Sequence, residues 1–437
     1  MTEHLQDDPA ALHAAPGFLG LKSIKSDYSF SNEEIETLRA LASRVAEIAA
    51  MPVMSDKAKL WTAHNDLKTD EPLVLADPEN GWNEIIPPAS LVSKDPLARF
   101  WEMSFRKQIF WAEEMKDDKI IEPYFDVPYI YDDDGWGVEL EKHGGDDLGA
   151  YIIDPAIKDY ESDLPKIHYP NISVDDKGSD EIMEFAEKLF GGILQTRRKN
   201  AWWWSFGMCY DFVHIRGLEN FMCDLIAEPD NFHRMMKLLC DGKLQMLDFL
   251  EEKGLLTLNN EGTYIGSGGL GYTDELPRPG FDGTVTAMDM WGFVESQETV
   301  SISPKQYAEF VLPYHLKIMD RFGLNIYGCC EIFDTRWEYV KRIPRLRRVS
   351  CSAWSDWSKV PEYLGKNYVA SVKPSPATLA LGNMNEDVVR ADCRNAAERT
   401  KGGICEFLMK DNHTLGGNPG NIVRWVEIMR EEIARVY

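Results

Sequence analysis

Cys329, Cys330 and Glu331 stand in a row, two thiols and a carboxylate directly after an apolar run at 323–328. Such a run reads as a strand, which puts the three side chains at its C-terminal tip. Other runs read as strands end in similar residues: 287–294 in Glu295-Ser296-Gln297-Glu298, 347–353 before Asp356, 367–373 in Lys373, and 402–409 in Lys410-Asp411-Asn412-His413. Thiolate, carboxylate and imidazole brought from separate strands can give three ligands with a fourth position open, the arrangement of a catalytic zinc. Cys329, Cys330, Glu331 and His413 are therefore the candidate ligands. A plainer alternative for the two thiols is a pair of small buried hydrophobes, and for His413 a loop cap. Cys405 is a further thiol, but it lies eight positions before His413. At about 3.3 Å per strand residue it sits well below the strand tips, which favours His413 as the ligand.

Tyr264 and Glu295 are candidates for hydrogen bonding a substrate or leaving group. Among thirteen tryptophans, Trp291 and Trp354 are the candidates for flat walls around an aromatic substrate. Asp356 and Lys373 either contact substrate or form an ion pair with each other.

Two motifs mislead. Asp411-Asn412-His413-Thr414-Leu415-Gly416 fits D-x-H-x-x-G, the pattern in which a cobalamin domain supplies an axial His, but only 24 residues follow His413 and they read as one amphipathic helix. Gly266-Ser267-Gly268-Gly269-Leu270-Gly271 contains G-x-G-x-x-G, yet Pro277 and Pro279 stand where a phosphate-binding helix would begin. That segment reads as a loop over a site. No Walker loop, G-x-S-x-G elbow or H-E-x-x-H helix occurs.

The elements that position these residues can be read from periodicity. Ser31 and Glu34 form a capping box ahead of Ile35, Leu38, Leu41, Val45 and Ile48 at helical spacing. Asp95-Pro96 starts a second helix carrying Phe100, Trp101, Phe105 and Ile109. Irregular chain is expected from 120 to 180. Further strands are predicted at 201–206 and 255–260, with an earlier one near Leu73-Val74-Leu75 or Val127–Ile130. Helices start at Ser303-Pro304 with Gln306, interrupted by Pro313, and at Asn418-Pro419, whose apolar face holds Ile422, Val426, Met429 and Ile433. Strands alternating with helices imply a parallel sheet with right-handed crossovers. The expected fold is an α/β (β/α)8 TIM barrel over 121–437, with an N-terminal extension over 1–120 packed on it as a single unit; an open doubly wound sheet is the structural alternative. Residues 1–30 read as an arm.

The chain has 437 residues and a net charge of -25, which disfavours nucleic acid and anionic membrane surfaces as partners. Eight cysteines without a C-x-x-C pair argue against a disulfide scaffold or zinc knuckle. The first thirty residues lack a basic head followed by an apolar run, and no apolar stretch reaches bilayer length, so a cytoplasmic protein is expected.

Gly217-Leu218-Glu219 through Glu228-Pro229, Ile302-Ser303-Pro304 with Phe310 to Pro313, and Tyr327 to Glu331 resemble the uroporphyrinogen decarboxylase superfamily over roughly 185–437. Within it the chain is more similar to the cobalamin-dependent methyltransferases, and most of all to anaerobic O-demethylase methyltransferases. Their zinc motif is H-x-C on a strand end with a further ligand near the last strand. Tyr327-Gly328-Cys329 stands where H-x-C would be, so Tyr327 replaces the His and a ligand set of Cys, Glu and His is implied instead. The resemblance implies transfer of a methyl group from an aryl methyl ether or similar donor to the cobalt of cobalamin, carried in trans by a separate corrinoid protein. A homodimer is compatible with this. The rival expectations are a metal-free decarboxylase, which would want arginines around its pocket, and a non-catalytic barrel that docks to a corrinoid protein.

Overall fold

The computed structural model describes residues 26–144 and 151–437; most of the expected N-terminal arm lies outside that range. The chain is mixed α/β. Its strands are β1 (Leu73–Ala76), β2 (Tyr124–Val127), β3 (Tyr131–Asp133), β4 (Lys142–Gly144), β5 (Tyr151–Ile153), β6 (Ile172–Val174), β7 (Gln195–Arg198), β8 (Trp291–Val294), β9 (Leu324–Tyr327), β10 (Leu346–Cys351), β11 (Val369–Val372) and β12 (Ile404–Met409). The principal sheet has six strands in the order β1-β12-β11-β10-β9-β8. The pairs β1–β12, β8–β9 and β9–β10 are parallel. Every residue of β1, β8, β9, β11 and β12 is buried, as parallel strands covered on both faces require.

The chain forms two compact units, one comprising the residues up to Asp132 with Val174–Trp203 and Val372–Tyr437, the other Asp133–Ser173 with Trp204–Ser371. The boundary expected near residue 120 falls inside the first. In that unit Leu73 to Ala76 of β1 lie in register with Glu406 to Met409 of β12. The helix Asn32–Ala49 has the expected capping box, Ser31 and Glu34 each taking the other's backbone N–H. Asp95 caps Pro96–Phe110 by accepting from the N–H groups of Leu97 and Ala98. Trp101, Phe105, Phe125 and Phe190 pack edge-on or tilted with ring centroids 4.4–5.5 Å apart. These contacts anchor the β2–β7 pair. The last helix, Gly420–Val436, buries Ile422, Val426 and Met429.

In the second unit Trp291 to Val294 of β8 align with Leu324 to Tyr327 of β9. The predicted helix break at Pro313 falls two residues before it: helices Pro304–Phe310 and Leu312–Met319 meet at Val311, with φ -119° and ψ -52°. Proline lacks the N–H that would continue the first helix.

The runs 201–206 and 255–260 are not strands. A single bond from Phe206 N to Phe293 O, 2.9 Å, stands where a ladder was expected. At the other run the side-chain amide of Asn259 donates to Trp291 O (3.0 Å) and accepts from Trp291 N (2.9 Å). A side chain thus satisfies the backbone groups that a neighbouring strand would have paired. The ladders establish a six-stranded α/β sheet and do not establish the closed eight-stranded barrel. No helix among the described residues is long and apolar enough to cross a membrane.

Candidate active site

β8 and β9 end side by side in the second unit, and the thiols and buried carboxyl groups lie at their tips. Gly328, at φ +93°, turns the chain after β9 through a left-handed conformation suited to glycine. Its N–H donates to Val294 O at 2.9 Å. Cys329 is buried and Cys330 half-buried, with their Sγ atoms 3.6 Å apart. Ser267 Oγ lies 3.2 Å from Cys329 Sγ, so the glycine-rich segment 266–271 does reach the thiols. Ser350 Oγ donates to Cys329 O at 2.8 Å and fixes the peptide that follows.

Glu331 is 1% exposed and turns its carboxylate onto the backbone. Oε2 accepts from Cys329 N at 2.8 Å and Oε1 from Ser296 N at 2.8 Å. One side chain therefore fastens the segment after β8 to the segment after β9. Arg336, also buried, supports the same segment by donating to Ser296 Oγ (3.2 Å), Thr299 Oγ1 (2.8 Å) and Thr299 O. Its guanidinium lies 4.7 Å from the Tyr307 ring centroid, a cation–π contact.

Two more carboxyl groups share this space. Glu295 is fully buried; its Oε1 accepts from Ser205 Oγ (3.3 Å) and its Oε2 from Gln297 N (3.1 Å). Burial, reinforced by Glu298 and Glu331, raises its pKa well above the usual carboxyl range. Glu298 is pushed up to about 7, mainly by burial, with Glu331 adding to it. Glu298 Oε2 is buried with no hydrogen-bond partner among the described residues. Gly207 makes room for Glu295: a Cβ there would stand 2.4 Å from both Glu295 O and Glu295 Oε1. Burial likewise raises the thiol of Cys209, next through Glu298 and Glu295.

The other expected site residues are distributed as follows. Tyr264 is half-buried and bridges antiparallel to Leu270. Trp291 is packed as core, 1% exposed, with Nε1 donating to Gly271 O at 2.8 Å and Arg348 over its ring at 5.3 Å. Trp354 is 78% exposed. Asp356 is exposed and caps a short turn by accepting from Ser358 N at 3.1 Å. Lys373, buried, and His413, exposed, belong to the first unit, as does Cys405, which is buried within β12.

The structure gathers Cys329, Cys330, Glu331 and Glu295 around one pair of strand ends. It does not bring Cys329, Cys330 and Glu331 together as a three-ligand set. Among the described residues the one His, Cys, Asp and Glu group with converging ligand atoms is Glu141, His143 and Asp154. The reason is Glu331, whose oxygens serve two backbone N–H groups. Sequence reasoning passed over Glu298 as a site residue and missed Arg336. Glu298 sits in the quoted strand end, but nothing local announces Arg336, whose partners lie 37 and 40 positions away.

A zinc ion can be tested against this donor set. Two thiolate sulfurs about 2.3 Å from one tetrahedral zinc stand about 3.8 Å apart, close to the 3.6 Å observed for Cys329 and Cys330. Glu298 Oε2 offers an uncommitted oxygen. The sulfur separation fits a cation, but among the described residues no carboxylate oxygen or imidazole nitrogen converges with both sulfurs within 4.8 Å.

The chain matches no protein-family profile and no curated protein. Among solved structures it aligns with a methyltransferase from Methanosarcina mazei over 86% of this chain and 99% of that one, at 11% identity and a TM-score of 0.47, a likeness that carries no argument about activity.

Proposed function

We propose that this protein is a methyltransferase that takes a methyl group from a methyl ether, most naturally an aryl one, and delivers it to the cobalt of cobalamin on a separate corrinoid protein. The single observation that supports it most is the pair of thiols 3.6 Å apart beside a buried carboxyl whose pKa is raised well above the usual range. An ether oxygen leaves poorly until a proton or a Lewis acid takes up its developing charge.

Glu295 meets the first requirement. Burial, with Glu298 and Glu331 nearby, opposes its ionisation and favours the protonated form. A proton held there can pass to the departing alkoxide or phenoxide. Cys329 and Cys330 would hold a zinc ion, which when bound would supply electrophilic assistance at the same oxygen. Glu331 and Arg336 keep the segments after β8 and β9 in place, so the thiols and the acid stay preorganised. Trp354, with its indole exposed, is available to stack on an aromatic donor or partner. Tyr264 is the proposed substrate hydrogen-bonding group, and Asp356 remains a proposed substrate contact.

The three buried arginines of the second unit do not favour a polycarboxylate substrate: Arg216 is paired with Asp224 at 2.8 Å. Arg336 is engaged with Ser296 and Thr299, and Arg348 with Leu270 O and the Trp291 ring. Elemental analysis tests the proposal. Purified protein should carry about one zinc per chain, and a Cys329→Ala/Cys330→Ala variant should carry less while keeping its fold. Full methyl transfer by metal-stripped protein would remove the metal from the proposal and leave Glu295 as sole acid.

A further inference from the structure

Outside this site, three side chains of the second unit converge on the β4–β5 hairpin. β4 and β5 pair antiparallel, with Lys142 opposite Ile153 and His143 opposite Ile152. Asp154 N donates to Glu141 O at 3.0 Å, which extends the pairing by one position. Side chains on a strand alternate faces, so Glu141 and His143 share a face, and Asp154, opposite Glu141, shares it too. The ligand atoms of all three lie within 4.8 Å of one another. His143 Nε2 and Asp154 Oδ2 are 3.2 Å apart.

We infer that Glu141, His143 and Asp154 form a divalent transition-metal site, a cross-strand clip independent of the thiol site. The donor set selects the ion. One imidazole with two carboxylates suits zinc, cobalt or manganese. Calcium, which takes six to eight oxygens, is poorly served by three side chains that include a nitrogen. All three groups are exposed, so water fills the remaining positions and binding is weaker than at a buried thiolate site. A bound cation joins β4 to β5 by side chains as well as backbone. The excess of 72 acidic over 47 basic residues favours cation accumulation near the chain.

Titration of the apo protein with Co2+, followed by absorption, separates this site from the one in the thiol pocket. Cobalt on cysteine gives an intense thiolate charge-transfer band in the near ultraviolet, whereas cobalt on nitrogen and oxygen gives weak visible bands alone. The expected result is an equivalent of Co2+ bound without the charge-transfer band, displaced by Zn2+, and weakened at least tenfold in both His143→Ala and Asp154→Asn. Exposed substitutions of this kind leave the fold intact, which far-ultraviolet circular dichroism confirms. The Cys329→Ala/Cys330→Ala variant should lose the charge-transfer band and keep this equivalent. Absence of an equivalent lacking the band, or its persistence at full affinity in His143→Ala, overturns the inference. Loss of the thiolate band alone would count against the thiol site and leave the hairpin site standing.

Discussion

Glu331 accepts the backbone N–H of Cys329 at 2.8 Å with one carboxylate oxygen while the other holds Ser296 N, also at 2.8 Å. A residue whose type suggested a metal ligand is thus a clasp between two strand ends. The thiols depend on it for their placement, and the acid Glu295 is adjacent to the clasped Ser296.

Removing the clasp should be costly. Glu331→Ala leaves two buried N–H groups without acceptors, at about 1–3 kcal/mol each, so urea denaturation should show a loss of about 3 kcal/mol. Glu331→Gln keeps one acceptor oxygen and should lose less. Equal stability of Glu331→Ala and the parent would show that the clasp is not formed.

Gly207 has a comparable role without any polar atom. The Cβ of Gly207→Ala would stand 2.4 Å from Glu295 O, which is backbone and cannot swing aside. Overpacking of this kind costs about 1–3 kcal/mol, and turnover should fall as the Glu295 carboxyl is displaced. Wild-type turnover in Gly207→Ala would separate Glu295 from the chemistry.

The structure also sets an acid limit to stability. His315 is fully buried, and burial, with Arg336 and Lys243 nearby, lowers its pKa to about 3. Its Nε2 has no hydrogen-bond partner among the described residues. Between the unfolded value of 6.5 and about 3, the unfolded chain binds a proton that the folded one refuses. Stability from this group is therefore complete above pH 6.5 and is lost as pH falls toward 3. From pH 7 to 4.5 the loss is about 2–3 kcal/mol. His315→Leu should lose correspondingly less over that interval in urea melts; an identical loss would assign the acid limb elsewhere.

How far the sequence leads depends on whether a signal is local. Capping boxes at Ser31/Glu34 and Ser303/Gln306 are contained in four residues and appear as expected. The tips of β8 and β9 were legible because apolar runs end abruptly in Glu295 and in Cys329 to Glu331. The segments 201–206 and 255–260 have strand-like composition but not strand structure, because Asn259 pairs Trp291 through its side chain. No periodicity reveals such a substitution. The direction of the Glu331 side chain was equally illegible: a carboxylate beside thiols reads as a ligand until the N–H groups it serves are seen.

That reading of Asn259 can be checked. Asn259→Ala removes both bonds to Trp291 and should destabilise the protein by about 2 kcal/mol, with faster hydrogen exchange at Trp291 N. Unchanged exchange there would show that another group pairs β8.

Methyl transfer to cobalt can be followed directly. The direct measurement mixes the protein with chemically reduced cob(I)alamin and a panel of methoxylated aromatics, and follows methylcobalamin formation by its absorption spectrum. In this reaction the cobalt electron pair forms the bond to carbon, the carbon–oxygen bond breaks, and a proton passes to the released oxygen. Methylcobalamin is expected from at least one aryl methyl ether, with formation reduced at least a hundredfold in Cys329→Ala/Cys330→Ala and in Glu295→Ala. No methylcobalamin from any donor, or undiminished formation in those variants, would contradict it.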